Sequence, residues 1–435
     1  MNTIAVVGAG LAGSEAAWQL AARGFQVRLY EMRPTVPTPA HSTSDFAEIV
    51  CSNSFGSDEA GTAAALLKEE LRALGSLLLI VADEVRVPAG KALAVDRTLF
   101  GRGVTERVLG HPRIEVIREE LPSLPESPAI IASGPLTSAQ LAESLQAFTG
   151  RQNLSFYDAS SPIVLADTID EGGVFRQSRY GRGNDYLNCA LDRPQYLAFR
   201  DSMLAAEKAA VHEFDKINYF EGCLPIEELA ARGEDTMRFG PMKPVGLVDP
   251  ATGRQPYAVV QLRQDDIAAD HYNMVGFQSR MKWGEQKRIF RMLPGLENAE
   301  FARFGRVHRN TYINAPAILT AAFECRNKAG LFVAGTLAGV EGYTECIASG
   351  LVSALTLASH LGGPDFSLPP PATAIGALCR YISNADWKNF QPVNFSFGLL
   401  DPLGKHIRSR EARRVALVER ARASMAAWSA ALRSA

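Results

Sequence analysis

Cysteine and histidine are scarce in this chain, and both are dispersed. Six cysteines, Cys51, Cys189, Cys223, Cys325, Cys346 and Cys379, and seven histidines are spread over 435 residues. No C-x-x-C pair occurs, which excludes a local zinc signature. So few thiols in so long a chain argue against a disulfide scaffold and for a reducing compartment. No run approaches the roughly 18 apolar residues of a membrane span. Met1 leads almost directly into a short apolar segment, without the basic region and cleavage site of a signal peptide. The expectation is a cytoplasmic protein with no membrane partner and no metal. Net charge is also nearly absent, at −2, which rules out a uniformly basic nucleic-acid binder. Repeats and low-complexity tracts are missing too.

The small total hides an uneven distribution. From Phe366 to Ala435, ten Lys and Arg stand against four Asp and Glu, so the rest of the chain is acidic. The C-terminal run holds Lys405, His406, Arg408, Arg410, Arg413, Arg414, Arg420 and Arg422. A second cluster, Arg280, Lys282, Lys287, Arg288 and Arg291, has Trp283 and Phe290 interleaved and only Glu285 opposing it locally. Clustered cations suit phosphate contacts, and exposed aromatics suit stacking on splayed RNA bases. A solvated helical face is the other reading of each run.

What the sequence does have begins at its N-terminus. Thr3 to Val7 reads as a strand, Gly8, Gly10 and Gly13 as G-x-G-x-x-G, and Ser14 to Arg23 as a helix closed by Gly24. A second strand, Gln26 to Tyr30, stops at Glu31. In the segment Gly8-Ala9-Gly10-Leu11-Ala12-Gly13 the glycines allow a tight turn, a close pyrophosphate and close helix–strand packing. The helix N-terminus offers N–H groups to phosphates, and Glu31 can accept hydrogen bonds from a ribose. Far along the chain, Gly330 to Gly339 reads as another strand ending in Gly335-Thr336 and Gly339, followed by a small-residue helix from Cys346 to about His360. Ala129 to Pro135 is a third strand-to-glycine segment. The Gly335 segment resembles the second flavin motif of two-dinucleotide-fold flavoproteins, except that Thr336 stands where many members carry Asp. Tyr343, just after it, is placed to reach a flavin ring. FAD is therefore favoured over NAD as the tightly held cofactor.

The fold class expected is α/β: a two-dinucleotide-type, Rossmann-like FAD-binding domain (1–185 and 301–435) interrupted by an inserted α+β domain (186–300). A helix from about Pro194 to Phe214 and strands at Lys216–Tyr219 and Tyr257–Leu262 belong to that insertion.

Two cysteines stand in unusual surroundings. Cys51, in Val50-Cys51-Ser52-Asn53-Ser54, lies just upstream of a helical run from Thr62 to Leu74, and a helix N-terminus favours a thiolate. Cys223, in Glu221-Gly222-Cys223-Leu224-Pro225, occupies a turn that exposes its side chain. The other four sit in helical or apolar contexts and read as packing residues. His308, in His308-Arg309-Asn310-Thr311, can stack on a heterocycle or simply bond to backbone.

Together with Tyr186-Leu187-Asn188-Cys189 and Gly335 to Tyr343, these segments make the whole chain resemble the bacterial folate- and FAD-dependent tRNA (uracil-5-)-methyltransferases. The resemblance implies methylation of uridine 54 in the tRNA T-loop. The carbon would come from 5,10-methylenetetrahydrofolate, with reduced FAD as carrier and reductant and NADH or NADPH recharging it. It further implies Cys51 and Cys223 as the catalytic pair, with Cys223 as the nucleophile that adds to uracil C6 and Cys51 as general base or second thiol, or with the two roles exchanged. The pterin would stack at His308, and Arg280, Lys282 and Arg288 would contact the RNA. Related FAD enzymes that modify the wobble uridine, usually with a further C-terminal helical domain, and small-molecule flavin oxidoreductases are the alternatives.

Overall fold

The computed structural model describes residues 3–150, 154–209, 224–404 and 407–434. Its central layer is a five-stranded, all-parallel sheet in the order Leu331–Val333, Ala129–Ile131, Ile4–Val7, Val27–Tyr30, Ile114–Ile117. Such a sheet is buried on both faces, and its strands accordingly read as short unbroken apolar runs. Ile4, Val6, Leu29, Ile130 and Phe332 are fully buried. The strand nearest the C-terminus thus closes one side of a sheet begun by residue 4, as the early and late glycine segments led one to expect.

Two helices fix the centre of this unit. The first, Leu11–Ala22, follows Gly10, and the late helix, Tyr343–His360, packs across it. Their approach is possible only because the contact residues are small. A Cβ on Gly350 would stand 2.1 Å from the Ala12 carbonyl oxygen, and one on Gly13 would stand 1.8 Å from the Gly8 carbonyl oxygen. The late helix is buried continuously from Thr344 to Ala358, so it needs no polar face. It begins at Tyr343, three residues before the expected start, because Gly342 adopts φ +99° and turns the chain into it.

The chain leaves this unit along Leu154–Ala159 and returns along Val307–Tyr312, which pair with each other as an antiparallel ribbon. Between them lies a six-stranded antiparallel sheet in the order Phe175–Arg176, Tyr186–Leu191, Ala258–Gln264, His271–Met274, Ile163–Leu165, Phe301–Arg303. It has its own core, built around Tyr196, Phe199, Met274, Phe277 and Phe290. This sheet draws strands from both sides of the 186–300 span expected for the insertion. Three-residue strands such as Ile163–Leu165 are too short to show alternation. The helix expected from Pro194 to Phe214 runs Arg193–Ala205, opened by an Asp192–Gln195 capping box. Lys216–Tyr219 lies outside the described residues. Among the described residues, no helix is long and apolar enough to cross a membrane.

Gly350→Ala is expected to cost about 1–3 kcal/mol, because the added methyl must push the late helix off Ala12. A thermal scan checks it, and an unchanged Tm would refute this account of the crossing.

Candidate functional site

A cavity of about 380 Å³ lies where the two glycine segments meet. Gly8, Gly10, Leu11, Ala12 and Glu31 line it from the N-terminal side, and Gly335, Thr336, Gly342, Tyr343 and Cys346 from the late strand and helix. Ser133, Gly134 and Pro135 add the third strand-to-glycine segment. The whole parallel sheet points the C-terminal ends of its strands here, the usual ligand position in open α/β sheets.

Each glycine has a separate task. Gly8 adopts φ +96°, and a Cβ there would meet the Ala132 carbonyl oxygen at 2.5 Å. Gly10 has nothing within 4 Å of where its Cβ would stand, so its backbone faces open space. The first-turn N–H groups of the helix at Leu11 have no intrahelical acceptors, which makes this a cradle for a pyrophosphate. Ala9, Gly13 and Gly339 do not line the cavity. The Ala9 N–H donates to Glu31 Oε2 at 3.0 Å, Gly13 packs on Gly8, and a Cβ on Gly339 would strike the Phe390 ring at 2.3 Å.

Glu31 is buried and accepts from the Arg33 backbone N–H and Nε, both at 3.0 Å. Burial alone would raise its carboxyl, but Arg33 beside it and these donors hold it below the ordinary value. A carboxylate is therefore present for ribose hydroxyls. Thr336 packs its hydroxyl 3.3 Å from the Cys346 thiol. Cys346, expected to be a packing residue only, lines the cavity, and burial pushes its thiol up to about 12. Asn310, buried on the ribbon, also lines the cavity, and its side-chain oxygen has no hydrogen-bond partner among the described residues. Such an orphaned acceptor suits an N–H donor on a bound ring. Open backbone at Gly10, a free helix N-terminus, an ionised Glu31 and this acceptor together fit a dinucleotide cofactor such as FAD.

Cys51 forms part of the cavity wall. The helix expected to start beside it does not: a strand, Ser54–Ser57, and a turn intervene before Ala63. Its neighbour is instead the start of the late helix, where the Tyr343 hydroxyl accepts from the Cys51 N–H at 3.2 Å. The Cys51 thiol lies 3.8 Å from the Ala159 carbonyl oxygen at the ribbon's end. Three guanidiniums hold the flanking residues. Arg97 donates to the Ile49 carbonyl at 3.2 Å, Arg303 to the Val50 carbonyl, and Arg263 to Ser52 Oγ at 2.6 Å and Asn53 Oδ1 at 2.9 Å. Arg97 is itself clamped by Asp265 through two 2.7 Å bonds. Burial would lower the Arg97 guanidinium, yet Asp265 raises it on balance, while Arg303 is lowered by burial and by Arg97. These three arginines are far apart in sequence and carried no local signal. Gln278, reaching the cavity from the second unit, was equally silent.

The remaining expected site residues are placed differently. Cys223 lies outside the described residues, as do Lys405 and His406. His308 stands in the ribbon opposite Asp158, with its side chain outside the described set. Arg280, Lys282 and Arg288 are not free cations. Each has a carboxylate, Glu228 at 2.8 Å, Glu207 at 2.6 Å and Glu285 at 2.7 Å. Glu207 and Glu228 come from segments that local counting could not connect to the cluster. On the C-terminal helix, Arg410–Ser434, Arg422 pairs with Glu69 at 2.8 Å. Cys189, Cys325 and Cys379 are buried, and burial raises all three thiols, Cys325 and Cys379 to about 12. No group of three His, Cys, Asp or Glu among the described residues is placed to hold a metal.

Residues 3–365 match the family described as glucose inhibited division protein A. The chain is 55% identical over 428 residues to the methylenetetrahydrofolate–tRNA-(uracil-5-)-methyltransferase TrmFO of Desulforudis audaxviator, covering 98% of each. It is 51% identical over 421 residues to the enzyme of that name from Bacillus subtilis, covering 97% of each. Among solved structures it resembles Aquifex aeolicus GidA, with a TM-score of 0.67 at 13% identity, over 97% of this chain and 73% of that one. That last likeness speaks for the fold.

Two outcomes follow from this geometry. Arg97→Ala strands the buried Asp265 carboxylate and is expected to cost about 3–5 kcal/mol in urea unfolding. Adding Asp265→Ala should recover much of that loss, and simple additivity of the two would contradict the pairing. Glu345, in the first turn of the late helix, is pushed by burial from 4.5 to about 7. The folded chain then keeps a proton that the unfolded chain gives up, so its contribution to stability falls as pH rises from 4.5 to about 7. Glu345→Gln should flatten that part of the stability–pH curve, as measured by denaturant titration.

Proposed function

The chain belongs to the glucose inhibited division protein A family and, by near full-length identity, to the methylenetetrahydrofolate–tRNA-(uracil-5-)-methyltransferases, and from that premise we propose that it forms 5-methyluridine at position 54 of the tRNA T-loop. The carbon donor is 5,10-methylenetetrahydrofolate, and NADH or NADPH is the source of reducing equivalents. Identity of 51–55% across 97–98% of the chain carries this reading. The 13% likeness to GidA supports the fold and lends nothing to an alternative chemistry at the wobble uridine. Five free cysteines among the described residues fit a reducing cytoplasm.

When bound, reduced FAD supplies the methylene carrier and the hydride. The protein must do the rest. Gly8, Gly10 and the first turn from Leu11 would hold the pyrophosphate, Glu31 would take the ribose, and Tyr343 on the cavity wall would meet the ring system. Uracil C5 is a poor nucleophile until a thiolate adds to C6, which pushes an electron pair toward O4 and makes C5 enolate-like. C5 can then bond to the one-carbon unit; a base removes the C5 proton, the bond from that carbon to its carrier breaks to leave an exocyclic methylene, and hydride addition there with departure of the thiolate from C6 gives the methyl group. Cys51, on the cavity wall, and Cys223 divide these two tasks. The grip of Arg97, Arg263 and Arg303 keeps the Cys51 segment in place, which near-attack geometry requires.

Incubation with tRNA lacking ribothymidine 54, labelled methylenetetrahydrofolate and NADPH should place label in ribothymidine. Absence of transfer with FAD demonstrably bound refutes the reading. Cys51→Ala and Cys223→Ala should each abolish transfer, and full turnover in either would remove that residue from the pair.

A further inference from the structure

An aromatic ladder runs from the core of the second unit to solvent. Phe277 and Phe290 meet edge to face at 5.9 Å, and Phe290 contacts Phe301 at 6.2 Å. Phe301 then stacks on Phe304 at 5.1 Å and 29°, and Phe304 stacks near-parallel on Trp283 at 6.1 Å and 22°. Phe277 and Phe290 are fully buried, Phe301 and Phe304 partly so, whereas Trp283 is 51% exposed. The Arg306 guanidinium lies over the Trp283 ring, 4.7 Å from its centroid, and is exposed. No carboxylate pairs with Arg306 among the described residues, although Arg280, Lys282 and Arg288 nearby in sequence are all paired.

The end of this ladder adjoins the cavity wall. Arg306 and Ser160 exchange two hydrogen bonds, Ser160 N–H to the Arg306 carbonyl at 2.9 Å and Arg306 N–H to Ser160 Oγ at 3.1 Å. Ala159, the residue before Ser160, carries the carbonyl oxygen that the Cys51 thiol faces. On the other side, Ser279 N–H donates to the Ser160 carbonyl, and Gln278 already lines the cavity. Trp283 and Arg306 thus stand next to the Cys51 wall, on its solvent side.

We propose that Trp283 and Arg306 form a stacking platform for one unpaired base of the RNA, a neighbour of the uridine that enters the cavity. This deepens the methyltransferase reading and rests on it. A uridine can reach a thiol on a cavity wall only if it leaves its stack, and its neighbours then lose a stacking partner. A guanidinium plane backed by an indole offers a replacement face, and its charge offsets the adjoining phosphate. The rings beneath hold Trp283 in place, so little side-chain freedom is lost on binding. A nicotinamide or pterin must instead reach the ring end of the cavity, inside the wall that the platform flanks.

The test uses a T-arm RNA hairpin and a series of it in which each loop nucleotide in turn is abasic. Trp283→Ala is expected to weaken binding about tenfold, the order of one lost stacked base, and Trp283→Phe to restore most of it. One abasic hairpin should bind wild type more weakly by a similar factor and show no further loss with Trp283→Ala. Arg306→Gln, at an exposed position, gives the same comparison should Trp283→Ala fail to fold, with FAD content and Tm as the checks. Wild-type RNA affinity in both variants overturns the platform, as does an abasic series that shows no coupling. So does a rise in KM confined to NADPH or folate. A wild-type protein that neither binds nor methylates the hairpin overturns the methyltransferase reading, and the platform with it.

Discussion

The crossing of the first and late helices is the constraint on which everything else depends. Ala12 and Gly350 meet where a single extra methyl would collide with backbone. That closeness brings Gly10 and Gly335, some 325 residues apart in the chain, to the lining of one cavity. It also sets the start of the late helix at Tyr343, against the Cys51 backbone. With larger side chains between the helices, the two glycine segments could not approach closely enough to line the same cavity. Small residues therefore act here as a ruler for the site.

A second arrangement ties the Cys51 segment to both units. Residues 49–53 form no regular element, and an unsupported loop would be a poor place for a precisely positioned cavity wall. They are held by Arg97 from the first unit and by Arg263 and Arg303 from strands of the second. Buried guanidiniums are expensive unless satisfied. Asp265 and the loop's own carbonyls satisfy them, so the cost of burying charge and the need to order the loop are met by the same bonds.

Much of this was legible in the sequence, and unevenly so. The glycine fingerprint, Glu31 and the late glycine strand are local patterns whose spacing encodes backbone requirements; Gly8, Gly10, Glu31 and Gly335 line the cavity, whereas Gly13 and Gly339 serve packing behind it. Cys51 lines the cavity, but the helix end beside it is the one at residue 343 and not the one at residue 63 that its sequence position suggests. The basic cluster at 280–291 is less free than its sequence suggests, because Glu207 and Glu228 reach it through tertiary folding that no window of sequence can see. Arg97, Arg303 and Gln278 left no trace for the same reason: their meaning lies in which strand the topology sets beside the loop. Strands of three residues, such as Ile163–Leu165, were invisible because alternation needs length.

The antiparallel ribbon has a consequence in time as well as in space. Ser160 and Arg306 are bonded to each other, so from the first unit's side the whole of the second unit is one loop with its ends already joined. As the chain emerges from the ribosome, the second unit has all its strands once residue 303 is made. The first unit must wait for Leu331–Val333 to pair with Ala129–Ile131 and for the late helix to cover Ala12. Domains fold as units during synthesis, and by that order the cofactor cavity is among the last parts of the molecule to come into being. Until then, the apolar face prepared by the first 150 residues stays open, and it is the region with most need of protection.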